Sequence, residues 1–305
     1  MQQILVFASV SGGLDSFTSV LYTIDSILQK VNSAAEIKVY LINFYYQQKH
    51  SIEFYFASIQ YKILQKLFSK PLKINARNIK FSFSFERFDI SFLGQLSRPV
   101  SALVKGSSID NPEEYQETIE PLSVVPNRNF IFANILLTKA LVVAQQLREP
   151  NIKGYLVFGI HESPYLDTKP EFKAIIQQQV YLLTGKFYED IDSPFKSLDL
   201  QISIPFLCKT KEDVARAFIY LTNKYKFNWL DILEAIRELE EETNDEMYQH
   251  IYKWLTSEIK DFNADKRFEL ITYSCYNGEF PECGHCATCR EKREAFEKAR
   301  TTGSL

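Results

Sequence analysis

No charge of one sign dominates this chain. Its 305 residues carry 35 basic and 38 acidic side chains, a net charge of −3. That balance leaves no electrostatic footprint for duplex nucleic acid or for an anionic membrane. No apolar stretch approaches the roughly 18 residues needed to span a bilayer. The opening MQQILVFASVSGG lacks the basic flank and unbroken apolar run of a signal peptide, so the chain is expected to be soluble and cytoplasmic. Internal repeats and low-complexity tracts are absent. Cysteine is sparse, five in all. Four of the five crowd into residues 275–289, and in a reducing compartment such clustering argues for metal rather than disulfides.

What is present is a well-stocked core: 46% of residues are hydrophobic and 14% aromatic. That suffices for one large domain, or for one domain plus a substantial insertion. Strands are expected at 4–10, 36–46, 78–88, 154–160 and 200–207, and helices at 14–31, 51–68, 128–147 and 171–184. The β-α-β-α-β order of the first half implies a parallel twisted sheet with right-handed crossovers and helices on both faces. Residues 94–124 read as a long loop or lid. From 211 the texture becomes helical through 262, with Leu230, Ile232, Leu233, Ile236 and Leu239 as one apolar stripe and the mixed charges as a solvated face. Cys208 reads as an isolated core cysteine, and His161 and His250 as structural.

The stretch SGGLDS (11–16) follows the first strand directly. Glycines there let backbone approach an anion closely, and the free N–H groups of the next helical turn, with the helix dipole, bind it. Ser11 and Ser16 add hydroxyl donors. Asp15 is the odd member, because a carboxylate beside phosphates is repulsive unless a cation lies between them; it implies Mg²⁺ against a pyrophosphate. The stretch is neither a Walker A loop nor G-x-G-x-x-G. At the other end, Cys275, Cys283, Cys286 and Cys289 form C-x7-C-x2-C-x2-C. Four thiolates fit tetrahedral, structural Zn²⁺, with an iron–sulfur cluster as the rival reading. His285, inside the loop, reads as a bystander.

SGGLDS resembles the PP-loop of the N-type ATP pyrophosphatases. Together with SCYNG and CGHCATCR at the far end, VPNRNFIFANI (125–135), IPFLCKTKEDV (204–214) and looser matches at YYQQKHSIE (45–53) and YLDTKPEF (165–172), the chain is similar to the 7-cyano-7-deazaguanine synthase (QueC) family. The resemblance implies an α/β domain at 1–211 that binds ATP through Ser11, Gly12, Gly13, Leu14, Asp15 and Ser16. It implies a helical insertion at 212–262, larger than the family needs, and a zinc segment at 263–305. It implies catalytic roles for Asp15, Lys211 and Arg128, and substrate contacts from Lys49, His50, Asn129, Asp167 and Lys169. Lys169 stands where the family has arginine and cannot copy its planar fork. The implied reaction adenylates the carboxylate of 7-carboxy-7-deazaguanine with ATP and passes it to an amine, with Mg²⁺ and Zn²⁺ as cofactors. The amine is either ammonia, leading to amide and nitrile, or the N-terminus of a partner protein in an antiphage system. The aromatics Trp229, Tyr248, Tyr252 and Trp254 would serve such a partner as a docking surface, or else serve as core contacts. A homodimer is compatible with the resemblance. A tRNA-thiolating PP-loop enzyme and a non-catalytic nucleotide-binding adaptor are the other readings.

Overall fold

A computed structural model describes residues 1–74, 77–107, 124–163, 165–187 and 193–301. Its centre is a six-stranded sheet in the order β3-β4-β2-β1-β5-β6. The strands are β1 (Gln2–Ser9), β2 (Ala35–Tyr45), β3 (Leu72–Ile74), β4 (Arg77–Asp89), β5 (Ile152–Val157) and β6 (Leu198–Ser203). Five are mutually parallel, and β3 pairs antiparallel at the edge. The parallel sheet follows the sequence reading. The short β3 escaped it, because three residues give no period to read.

β1 is the middle of the sheet and is buried on both sides, as its unbroken apolar run requires. Ile4, Val6 and Ala8 join one core and Leu5 and Phe7 the other. The first core lies under α1 (Leu14–Lys30) and α2 (Glu53–Leu67). The short α3 (Ser91–Ser97) follows β4, and the second core lies under α4 (Arg128–Leu147) and α5 (Pro170–Leu183). By length and composition α4 could cross a membrane, contrary to the sequence reading. Here one side of it packs on the sheet through Ala133, Leu136, Leu137, Ala140 and Ala144.

Four further helices complete the first core: α6 (Lys211–Lys224), α7 (Trp229–Thr243), α8 (Glu246–Glu258) and α9 (Ala287–Thr301). α6 begins on a capping box in which Thr210 and Asp213 bond reciprocally, so its first residue, Lys211, is held at a fixed exit from β6. Its Phe218 packs between Phe17 of α1 and Phe296 of α9. α9 was not expected from the sequence, where the cysteines drew attention from the charged helix behind them. The apolar face of α7 runs through Trp229, Ile232, Leu233, Ala235, Ile236 and Leu239, while Leu230 is 64% exposed. The expected stripe is therefore corrected by one position. The acidic face of α7 is solvated but not idle: Glu234 and Glu238 pair with Lys66 of α2, and Glu242 with Lys62.

Of the expected lid at 94–124, residues 101–104 are buried and packed, and 108–123 lie outside the described residues. Cys208 is exposed rather than a core residue, because the chain leaves β6 before reaching it.

Gly159 follows β5 where that strand meets the start of α1. A Cβ there would stand 2.3 Å from both N and Cα of Ser16. Overpacking against backbone costs about 1–3 kcal/mol. Gly159→Ala is expected to destabilise the fold by about that amount in urea denaturation, and to displace the turn that α1 begins from.

Candidate active site

The turn between β1 and α1 is braced from within by two hydroxyls. Ser11 Oγ accepts from Gly13 N–H at 3.2 Å and lies 3.2 Å from Ser16 Oγ, which also accepts from Ser11 N–H at 3.2 Å. Gly13 is the N-cap of α1 and no side chain caps it. The amides of Leu14, Asp15 and Ser16 precede the first helical bond, Phe17 N–H to Gly13 O at 3.3 Å. Uncapped amides at a helix start, with the dipole behind them, form an anion site.

Gly12 makes the turn possible. Its φ is +85°, and a Cβ would lie 2.2 Å from Glu53 O. Its carbonyl accepts from Gln60 Nε2 of α2 at 2.8 Å and from Tyr273 N–H at 3.0 Å. Gln60 Nε2 also donates to Ile271 O at 3.0 Å. One buried carboxamide thus ties the turn to the segment that carries the cysteines.

One cavity at the carboxyl edge of the sheet collects most of the expected site residues. Ser11, Gly13, Leu14, Asp15, Ser16, His50, Arg128, Asn129 and Lys211 all line it. Ligands bind at this edge in open parallel sheets. Gly12 lies behind the wall. Lys49, Asp167 and Lys169 are outside the lining. Lys169 Nζ instead donates to Ser163 O at 2.6 Å, and the charge of Asp167 helps to raise the pKa of Arg128.

Asp15 is the charged centre. Its Oδ2 lies 2.6 Å from Lys211 Nζ and 3.5 Å from His161 Nδ1. Its Oδ1 is buried with no hydrogen-bond partner. Burial works to raise its pKa, but Lys211 and His161 outweigh it and hold the carboxyl well below the usual carboxylate range. His161 responds in kind. Burial opposes its charge, yet Asp15 and Glu291 push its pKa up to about 9. Lys211 is likewise raised, with burial opposing and Asp15 prevailing. His161 was read as structural from the sequence; the structure puts it in the cavity, with Nε2 3.6 Å from Glu291 Oε1. The rule that flagged His50, a histidine just past the carboxyl end of a strand, applies equally to His161.

The opposite wall is neutral. His50 Nε2 lies 3.4 Å from Glu53 Oε2. Burial and Arg128 pull His50 down to about 3, while burial raises Glu53 well above the ordinary carboxyl value against the pull of Arg128. His50 Nδ1 and Asn43 Oδ1, both in this wall, are buried without partners. Arg128 Nη1 donates to the Tyr46 hydroxyl at 3.4 Å. Among the described residues it has no carboxylate within 4 Å, and it lines the cavity.

The sulfur atoms of Cys275, Cys283, Cys286 and Cys289 all lie within 4.8 Å of one another. Cys283 and Cys289 are 4.0 Å apart, close to the ~3.8 Å that a tetrahedron of 2.3 Å Zn–S bonds requires. Cys283 Sγ accepts from Cys286 N–H at 3.3 Å, a bond that favours thiolate. The four residues therefore suit a metal ion. The same segment turns back to the cavity and lines it with Tyr273, Ser274, Tyr276, Thr288 and Glu291. Ser274 and Tyr276 lie in SCYNG and Thr288 in CGHCATCR, but none of the five was given a role from the sequence.

Gln60→Leu removes the donor shared by two buried carbonyls. Gly12 O keeps its bond from Tyr273 N–H, but Ile271 O loses its donor; leaving one buried carbonyl unpaired costs about 1–3 kcal/mol, so a loss of that size is expected in the unfolding free energy. A circular-dichroism melt with chemical denaturation checks it.

The family model described as queuosine biosynthesis protein QueC matches residues 4–230 and 257–300. The unmatched interval coincides with most of α7 and α8. Curated relatives are named 7-cyano-7-deazaguanine synthase. The one from Caldicellulosiruptor bescii is 26% identical over 292 residues, 95% of this chain and 90% of the relative. That from Sulfurihydrogenibium sp. is 27% identical over 96% of this chain and 94% of the relative. That from Aquifex aeolicus is 27% identical over 95% of each. Among solved structures, the U34-tRNA thiolase NcsA from Methanococcus maripaludis with its [4Fe-4S] cluster aligns at a TM-score of 0.31 and 14% identity, over 90% of this chain and 82% of the other. With its model matched across nearly the whole sheet, the turn after β1 and the cysteine segment, this chain belongs to the QueC family.

Proposed function

We propose that this chain is an ATP-dependent ligase that activates the carboxylate of 7-carboxy-7-deazaguanine and transfers its acyl group to an amine. The observation that carries the reading is Asp15: one oxygen held by two cations, the other free and buried at the mouth of an anion-binding turn. That oxygen suits a divalent cation, with Mg²⁺ as the ion and the phosphates of ATP supplying further ligands. When bound, Mg²⁺ would neutralise charge on the departing pyrophosphate. Arg128 would hold the substrate carboxylate or the α-phosphate, and Lys211 the outer phosphates. The carboxylate oxygen attacks the α-phosphorus, the bond to pyrophosphate breaks, and an acyl adenylate results. Positioning and charge neutralisation are the main contributions asked of the protein. An amine then attacks the acyl carbon and AMP leaves. With ammonia the product is the amide. A second ATP, cleaved to AMP and pyrophosphate, removes the amide oxygen to leave the nitrile.

We take ammonia as the amine, since the aromatics considered as a docking surface for a protein acceptor are largely engaged within the chain. Of the four aromatics considered as a docking surface, Trp229 and Tyr248 are fully buried in the core. Trp254 packs on Phe280 and Tyr252 under Arg237. We take α7 and α8 as the insertion proper and α6 as part of the nucleotide-binding core, since α6 delivers Lys211.

Mass spectrometry of 7-carboxy-7-deazaguanine incubated with ATP, Mg²⁺ and ammonia should show AMP, pyrophosphate, amide and nitrile. Asp15→Asn should abolish AMP formation while the melt stays cooperative. Activity seen only with a protein N-terminus as amine would reassign the acceptor, and unimpaired ATP cleavage by Asp15→Asn would sink the assignment of the turn.

The cysteine cluster should hold one Zn²⁺ per chain by elemental analysis. Metal binding at a structural site is folding energy, so Cys286→Ala should lower the melting temperature more than it lowers turnover per folded molecule. Iron with visible absorbance would overturn the zinc assignment.

A further inference from the structure

The cavity holds two carboxylates on different elements, Asp15 on α1 and Glu291 on α9, and one imidazole lies between them. His161 Nδ1 faces Asp15 Oδ2 at 3.5 Å and Nε2 faces Glu291 Oε1 at 3.6 Å. These are ion-pair distances, longer than a good hydrogen bond. They engage the ring at both nitrogens, one from each carboxylate. Asp15 Oδ2 is then occupied twice over, by His161 and by Lys211 at 2.6 Å, and Oδ1 is left buried without a partner. The carboxylate has one orientation that satisfies both cations.

Glu291 is itself anchored. The next residue, Lys292, is 6% exposed and donates to Thr272 O at 2.5 Å and to Glu282 Oε2 at 3.0 Å. Glu282 also accepts from Ser274 N–H. Thr272, Ser274 and Glu282 belong to the cysteine segment, so the position of Glu291 is set by the same backbone that carries the thiolates.

We propose that Glu291 is a positioning residue of the nucleotide turn, holding His161 so that Asp15 presents its free oxygen to the metal of the bound nucleotide. The proposal rests on the nucleotide reading above and adds a role that the turn alone does not reveal. It gives the cysteine segment a part in metal–nucleotide binding as well as in folding. Outer partners of this kind typically change metal affinity by about 10–100-fold when removed.

The test is a double-mutant cycle read by Mn²⁺ affinity, measured by electron paramagnetic resonance in the presence of a non-hydrolysable ATP analogue. Wild type, Glu291→Ala, His161→Ala and the double variant are compared, each with its melting temperature and cysteine-bound metal content. Each single change should weaken Mn²⁺ binding by about tenfold. The double should weaken it by about the same factor, since the two residues act in series. Glu291→Asp should recover part of the loss, and KM for Mg²⁺–ATP should rise by more than kcat falls. Glu291→Ala binding Mn²⁺ as wild type does, or independent effects that multiply in the double variant, would overturn the proposal. Should Glu291→Ala shed the cysteine-bound metal, Glu291→Gln takes its place in the cycle. If wild type itself binds no Mn²⁺–nucleotide, the nucleotide reading falls and this proposal with it. If wild type binds and Glu291→Ala is unaffected, only the proposal falls.

Discussion

The carbonyl of Gly12 receives two hydrogen bonds from two directions, and the site is organised around that point. Gln60 reaches it from α2 and Tyr273 from the cysteine segment. The carbonyl is exposed to both donors because Gly12 takes a positive φ that side chains with a Cβ rarely adopt. Fixing that peptide fixes Ser11 and Gly13 on either side of it. The amides that open α1 then point outward, and the hydroxyls of Ser11 and Ser16 fold inward. An anion site is otherwise a flexible loop, and here it is pinned by elements 48 and about 260 residues further along the chain. Chain connectivity alone would not hold it, given the entropy of ordering backbone at about 1–2 kcal/mol per residue.

The same long-range closure explains why the cysteine segment lies where it does. Cys275 and Cys289 are buried in the first core with Phe296 and Tyr273. The segment leaves that core to form one wall of the cavity. A metal holding four thiolates would brace the segment internally, without occupying the cavity. The segment that carries the thiolates is thus the one that donates to the Gly12 carbonyl through Tyr273 N–H.

The parallel sheet was legible because buried strands and amphipathic helices have distinct periods. The turn after β1 stood out because Ser-Gly-Gly-Leu-Asp-Ser packs small residues and a carboxylate into a strand-to-helix turn, and the structure places such a turn there. The cysteines were legible by spacing alone. The far wall was not. His161 and Glu291 stand 130 residues apart and meet only when β5 and α9 converge on α1, so no local pattern marks them. The apolar stripe of α7 slipped by one position because Trp229 and Leu230 are adjacent, and only packing decides which of two apolar neighbours turns inward. The lines drawn through Lys49, Asp167 and Lys169 came from motifs matched loosely. Those three stand outside the lining, whereas the closely matched Arg128, Asn129 and Lys211 line it.

The cavity is divided by charge, and the division follows from where each wall is desolvated. On the wall of Asp15 the charges come in sufficient number to support one another: two carboxylates, Lys211 and His161. On the wall of His50 and Glu53 burial wins, because Arg128 repels the imidazolium and only partly offsets the cost of ionising Glu53. Both partners there are driven toward neutral forms. A triphosphate needs fixed charge, and a flat heterocycle needs neutral donors and acceptors with no counter-ion to displace. His50 Nδ1 and Asn43 Oδ1 are such groups, buried and unpaired, and leaving them so is costly unless a ligand completes them. Arg128 lines the same cavity, and on the function proposed above its charge would hold the substrate carboxylate or the α-phosphate.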